Sequence, residues 1–155
     1  MENDKESEMP EGVPVEYPVE VVWEGEMRYR GGRAGGPQVV LDGNSEAGPT
    51  PPDVLMVALA TCSAIDVEDY LRKRRTPATS LAVSVRFSRA PKPPRRVTEA
   101  HLTFRVATDS PREHVERAVQ LSFDRYCSVA ASLAPDTVLA FTVELSPASG
   151  AAPAA

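Results

Sequence analysis

Thr50-Pro51-Pro52-Asp53-Val54-Leu55-Met56-Val57-Ala58-Leu59-Ala60-Thr61-Cys62-Ser63-Ala64-Ile65 is the stretch whose reading decides the fold. Thr50 suits an N-cap, Pro51 takes the favoured first helical position, and Asp53 at the third can reach back to the cap. A helix begins here. From Val54 to Ile65 nearly every residue is apolar or small, so the helix must be wrapped by other structure on all sides. After Asp66 the pattern turns amphipathic and closes on Arg72-Lys73-Arg74-Arg75 before Pro77, cations suited to the negative end of the helix dipole.

The remaining elements are marked out by the 15 prolines, none of which falls in 53–76, 95–110, 112–134 or 136–146. Upstream, Val19 to Trp23, Met27 to Arg30 and Gln38 to Asp42 are short β-leaning runs parted by Glu24-Gly25 and by Gly31 to Gly36, which predicts a meander. Downstream, Leu81, Val83, Val85 and Phe87 alternate with polar residues, as do Leu102, Phe104 and Val106, giving two half-buried strands linked by a long hairpin tip, Arg89 to Arg96. Ser110-Pro111-Arg112-Glu113 repeats the capping-box pattern ahead of a helix carrying Val115, Ala118 and Val119. Ser128 to Ala134 is a short helical candidate, and Leu139, Phe141, Val143 and Leu145 form a closing strand. The predicted class is α+β, ordered βββ-α-ββ-α-α-β over residues 16–146. It lies between an acidic tail (1–15) and a small-residue tail (147–155), both expected to be disordered. Strands with one buried face can cover one side of the central helix, and a second copy of the chain is the economical cover for the other.

Length and composition set bounds. At 155 residues and 16.7 kDa, with 42% hydrophobic and 25% charged residues, the chain suits one folded domain. A net charge of −5 gives no general attraction to nucleic acid or anionic lipid, so neither is expected as a partner. The N-terminus lacks a signal-peptide pattern and no stretch is apolar enough to span a membrane; the expectation is a soluble, cytoplasmic protein. Cys62 and Cys127, 65 positions apart, form no C-x-x-C motif and no disulfide scaffold. With only His101 and His114 as further soft ligands, at scattered positions, zinc is disfavoured, and no metal or cofactor is expected. The two thiols are either buried side chains without chemistry or a reactive pair.

Gly48-Pro49-Thr50-Pro51-Pro52-Asp53 through Cys62, together with Arg117-Ala118-Val119 and Leu121-Ser122-Phe123-Asp124-Arg125-Tyr126-Cys127-Ser128, resembles the OsmC/Ohr family, in particular the OsmC-like branch with G-P-[ST]-P near the helix start. The resemblance covers roughly residues 17–146. It implies an intertwined homodimer with sheets packed around central helices and thiol sites at the subunit interface. Characterised members of the family reduce hydroperoxides, so it also implies peroxidase activity.

Peroxide cleavage needs a thiolate, and a free cysteine with a pKa of ~8.5 supplies only a few per cent at neutral pH. Cys62 lies 11 positions past Pro51, beyond the reach of the helix dipole, so a cation from elsewhere in the sequence is required. In the Ohr branch the activating arginine lies in a Gly-Gly-Arg turn, which Gly31-Gly32-Arg33 matches; Arg28 and Arg30 are competitors. The family's glutamate, ten positions before the first cysteine, is Pro52 here, and the nearest carboxylate is Asp53. Asp53 either replaces that glutamate or serves only as a helix cap. Cys127, ahead of a short helix and after Arg125, is expected to ionise readily, and the resemblance implies that it resolves a Cys62 sulfenic acid as a disulfide. The implied partners are a hydroperoxide and a dithiol reductant of lipoyl or thioredoxin type. The alternative is a non-catalytic protein that binds a small ligand or senses oxidants. The cationic hairpin at Arg86, Arg89, Lys92, Arg95 and Arg96 reads as solvated loop, and His101, His114 and Arg117 as surface residues.

Overall fold

A computed structural model describes residues 12 and 14–149, in two compact units on either side of the Thr50–Pro51 bond. Most of both expected tails lies outside the described residues.

In the first unit, β1 (Val19–Gly25), β2 (Arg28–Arg33) and β3 (Gln38–Asp42) form the expected antiparallel meander. Gly25 and Glu26, both at positive φ, make the tight return between β1 and β2. The register pairs Trp23 with Tyr29, Val21 with Gly31 and Gly31 with Val39. By the period of two, Val19, Val21, Trp23, Tyr29 and Val39 therefore share one face, and all five are exposed. Arg28 and Arg30 fall on the other face, where Arg28 is paired with Asp42. After β3 the chain is gathered by Asp42, whose carboxylate accepts from Ala47 N (3.0 Å) and Asn44 N (2.9 Å). Gly48 passes so close to the Val40 carbonyl that a Cβ there would stand 2.5 Å from the oxygen, which is the physical need behind the glycine of Gly48-Pro49-Thr50-Pro51.

The second unit starts with α1 (Pro51–Lys73), as the cap and proline predicted. Its end is a Schellman turn, with Thr76 N bonded to Leu71 O (3.1 Å) and Arg75 N to Arg72 O (3.0 Å), and with Arg75 held at φ +63 where glycine is usual. A three-stranded sheet follows in the order β4 (Ser80–Arg89), β5 (Val97–Ala107), β6 (Val138–Ser146), antiparallel for β4/β5 and parallel for β5/β6. Parallel pairing requires a crossover. It is made by α2 (Arg112–Leu121), a π turn (Ser122–Tyr126) and α3 (Ser128–Ala131), the last shorter than the spacing suggested. The core joins Met56, Leu59, Val67 and Leu71 of α1 to Ala100, Leu102, Phe104 and Val106 of β5 and to Val115, Ala118 and Val119 of α2. Each large side chain so buried contributes about 1.5–3 kcal/mol.

One sequence expectation changes. Ser110 does not cap α2: the helix opens at Pro111 without a side-chain cap, and Ser110 N is bonded to Thr108 Oγ1 (3.1 Å). In the single chain α1 leaves Leu55, Val57 and Ile65 exposed, with Ile65 at 63%. Among the described residues no helix is long and apolar enough to cross a membrane.

Candidate functional site

Cys62 sits in the fourth turn of α1, half-buried, beside the fully buried Ser63. Cys127 comes from the far end of the crossover. The π turn places it: Cys127 N bonds back to Ser122 O (2.8 Å), so one more residue is wound into the turn than an α-helix would take. Ser122, itself fully buried, donates its hydroxyl to Asp66 Oδ2 (2.7 Å), one helical turn past Cys62. This bond ties the π turn to α1. Phe123 packs edge-on against Phe141 at 5.9 Å and fixes the other side of the turn to β6.

The outcome is two free thiols brought together against one core cluster. Cys127 is 2% exposed, at the N-cap of α3, and its sulfur accepts from Ala130 N at 3.3 Å. The expectation that this thiol ionises readily is reversed. Burial pushes its pKa above the ordinary thiol value, and the Cys62 thiol adds to the rise; the Ala130 N–H and the Ser63 hydroxyl oppose it without prevailing. Arg125 is exposed on the π turn. A half-exposed thiol beside a buried one can be oxidised first and then closed into a disulfide.

The other predicted site residues are placed as follows. Arg33 ends β2 in the meander unit, where its guanidinium lies 4.3 Å from the centre of the Tyr17 ring. Arg30 is paired with Glu24 at 2.6 Å, and Arg28 keeps a buried Nε without a hydrogen-bond partner. Asp53 lies in the first turn of α1 and lines a groove of about 780 Å³ between α1 and β4. Met56, Val57, Ala60 and Ile65 form one wall of that groove, and Leu81, Val83, Val85 and Phe87 the other. His101 is bonded to Thr142 on the sheet and His114 to Arg74. Among the described residues no three His, Cys, Asp or Glu side chains converge as a metal site.

Sequence reasoning passed over Ser63 and the Asp66–Ser122 bond. Ser63 is the polar residue on the buried stripe Met56, Leu59, Ser63, Val67, Leu71, whose phase the nearly all-apolar run does not reveal. The Asp66–Ser122 pairing, 56 positions apart, carries none.

A family model described as OsmC-like protein matches residues 42–142. Protein YhfA of Escherichia coli K12 is 37% identical over 115 residues, covering 73% of this chain and 86% of that protein. Among solved structures, a hypothetical protein from Aquifex aeolicus VF5 has a TM-score of 0.77 at 26% identity, over 86% of this chain and 98% of that one. The organic hydroperoxide resistance protein OhrB of Bacillus subtilis has a TM-score of 0.54 at 14% identity, over 85% and 98% respectively, a likeness of fold.

Proposed function

The chain belongs to the OsmC-like family, and on that premise we propose that it is a cysteine-based peroxidase acting on organic or inorganic hydroperoxides. The observation that carries this reading is that a half-buried Cys62 and a buried Cys127, two thiols drawn from distant segments, pack against the same core cluster. Cys62, the accessible one, attacks a peroxide oxygen as thiolate. The O–O bond breaks, the alcohol or water leaves with a proton, and Cys62 becomes a sulfenic acid. Cys127 then attacks the Cys62 sulfur, water leaves, and a disulfide forms. An external dithiol of lipoyl or thioredoxin type restores both thiols and is itself oxidised. Two free thiols suit a reducing compartment, and the reading is of a cytoplasmic protein. By the resemblance, Arg33 is the candidate cation for the Cys62 thiolate, and Asp53 is either its carboxylate partner or only the cap of α1.

The working unit in this proposal is a homodimer. Its support is the apolar surface left open in a single chain: the α1–β4 groove with Val57 and Ile65 beside it, and the meander face bearing Val21 and Trp23. The same groove supports a second reading, a non-catalytic protein that binds a small apolar ligand or senses an oxidant.

Consumption of hydroperoxides, with dihydrolipoamide or thioredoxin as donor, separates the two. An enzyme consumes many equivalents per chain and a sensor stops after one. Cys62→Ser is expected to consume none, and Cys127→Ser to react once and leave a sulfenic acid at Cys62. Full turnover by Cys62→Ser would overturn the peroxidase reading.

A further inference from the structure

Besides the larger groove, α1 borders a second, smaller cavity, and the turn of the helix decides which of the two serves Cys62. At about 100° per residue, Cys62, Asp66, Asp69 and Lys73 fall within roughly 60° of one another. The last three line a cavity of about 470 Å³, closed by Tyr70, by Ala118 and Leu121 of α2 and by Tyr126, the residue before Cys127. Val57, Ala64 and Glu68, which line the larger groove, lie at least about 120° round the helix from Cys62. The smaller cavity therefore shares Cys62's side of α1, and its π-turn wall leads directly to the second thiol. Its charges are unequally met. Asp69 is held by Arg72 (2.6 Å) and by Lys73 (2.5 Å), the cation of the lining. Asp66 takes the neutral Ser122 hydroxyl at Oδ2, and among the described residues it has no ion-pair partner.

We propose that this cavity is the approach to Cys62 and that Asp66 is its charge filter, admitting neutral and cationic hydroperoxides with a compact organic group and turning away anionic ones. The assignment rests on the thiol-pair reading above and deepens it. The organic group lies against Tyr70, Leu121 and Tyr126, in a cavity of the size that small-molecule sites take. Cys62 stands one turn before Asp66, about 6 Å along the helix axis. At that distance, in water-like surroundings, one carboxylate changes the local concentration of a monovalent reagent by about threefold, and reversing the reagent's sign doubles the effect to about tenfold. The chemistry at sulfur is untouched. Asp66 acts on which peroxide arrives, with the same carboxylate whose other oxygen holds the π turn to α1.

The test uses the full chain in a Cys127→Ser background, where Cys62 is the only thiol, and compares its rates of modification by methanethiosulfonates carrying a trimethylammonium or a sulfonate group. Relative to free cysteine, Cys62 should favour the cationic reagent at low ionic strength, and ~1 M salt should remove most of the preference, a reading that needs no further variant to fold. Asp66→Asn, whose amide oxygen still accepts from Ser122, is expected to lower the cation-to-anion rate ratio by about five- to tenfold. Glu68→Gln, which removes a charge from the groove side, should move it by no more than about twofold. With both cysteines present, the kcat/KM for cumene hydroperoxide relative to its para-carboxylate should be about threefold lower in Asp66→Asn than in the wild type. A Cys62 that favours the anionic reagent, a ratio that Asp66→Asn does not move, or a fall as large in Glu68→Gln would overturn the assignment. A wild-type chain that consumes no peroxide defeats the peroxidase reading alone, because the thiosulfonate rates need no turnover.

Discussion

Breaking the bond between Asp66 and Ser122 tests how the second thiol is held. The hydroxyl belongs to a fully buried serine and meets a carboxylate oxygen at 2.7 Å. A hydrogen bond to a charged partner contributes about 1.5–3 kcal/mol, and the half-exposure of Asp66 places this one near the lower end. Asp66→Ala removes the acceptor and strands the Ser122 hydroxyl in the core, so it should cost about 2 kcal/mol. In a chain of this size that corresponds to a fall in Tm of roughly 6 °C. Ser122→Ala strands nothing, since Asp66 can turn to water, and should cost about 1 kcal/mol. The double variant leaves no orphan at all. Urea denaturation of the four proteins under reducing conditions should therefore give a double-variant cost at least about 1 kcal/mol below the sum of the singles. Asp66→Ala should also slow disulfide closure, because Ser122 O holds the Cys127 backbone in place. Additive losses, with closure at the wild-type rate, would refute the view that this bond sets the geometry of the thiol pair.

Arg75→Gly should stabilise the chain by about 0.5–1 kcal/mol, because an L side chain at φ +63 is strained and glycine is not; thermal melts decide it. Because burial raises the Cys127 pKa, the thiol adds stability below the ordinary thiol range. That contribution is lost as pH rises from the unfolded-state value through the folded one, since only the unfolded chain ionises in between; denaturation at pH 7–11 under reducing conditions should show a decline that Cys127→Ala diminishes. The wild-type protein should sediment at about twice 16.7 kDa. Ile65→Glu should sediment as a monomer while keeping its helix content, since Ile65 is 63% exposed in the single chain.

How far the sequence speaks depends on the range of the interaction. The start of α1 is written in three adjacent residues, and the strands in strict alternation, so both are local and legible. The phase of α1 is not. A run in which nearly every residue from Val54 to Ile65 is apolar or small has no amphipathic direction, so nothing in it marks Ser63 as buried and Ile65 as exposed. The π turn is similarly silent, because Leu121 to Tyr126 has acceptable helical spacing and the extra residue leaves no compositional trace. Ser110-Pro111-Arg112-Glu113 misleads for a physical reason: the backbone of Ser110 is already committed to Thr108, whose own hydroxyl is held by Thr76 O (2.9 Å) from the end of α1.

The same distinction explains why the cysteines were visible as a pair but not in character. Position in sequence gives Cys127 a helix N-terminus and a neighbouring arginine, both of which favour an anion. Packing gives it the reverse, because the crossover buries its sulfur in the core while Arg125 stays in solvent. In the proposed cycle that reversal is useful. A second thiol that ionised freely would compete with Cys62 for the peroxide and risk over-oxidation; one kept protonated by burial is spared until a sulfenic acid forms beside it. The pocket must then be able to release that proton when the sulfenic acid is present, and the Ala130 N–H, 3.3 Å from the sulfur, is a donor already in place to receive the charge.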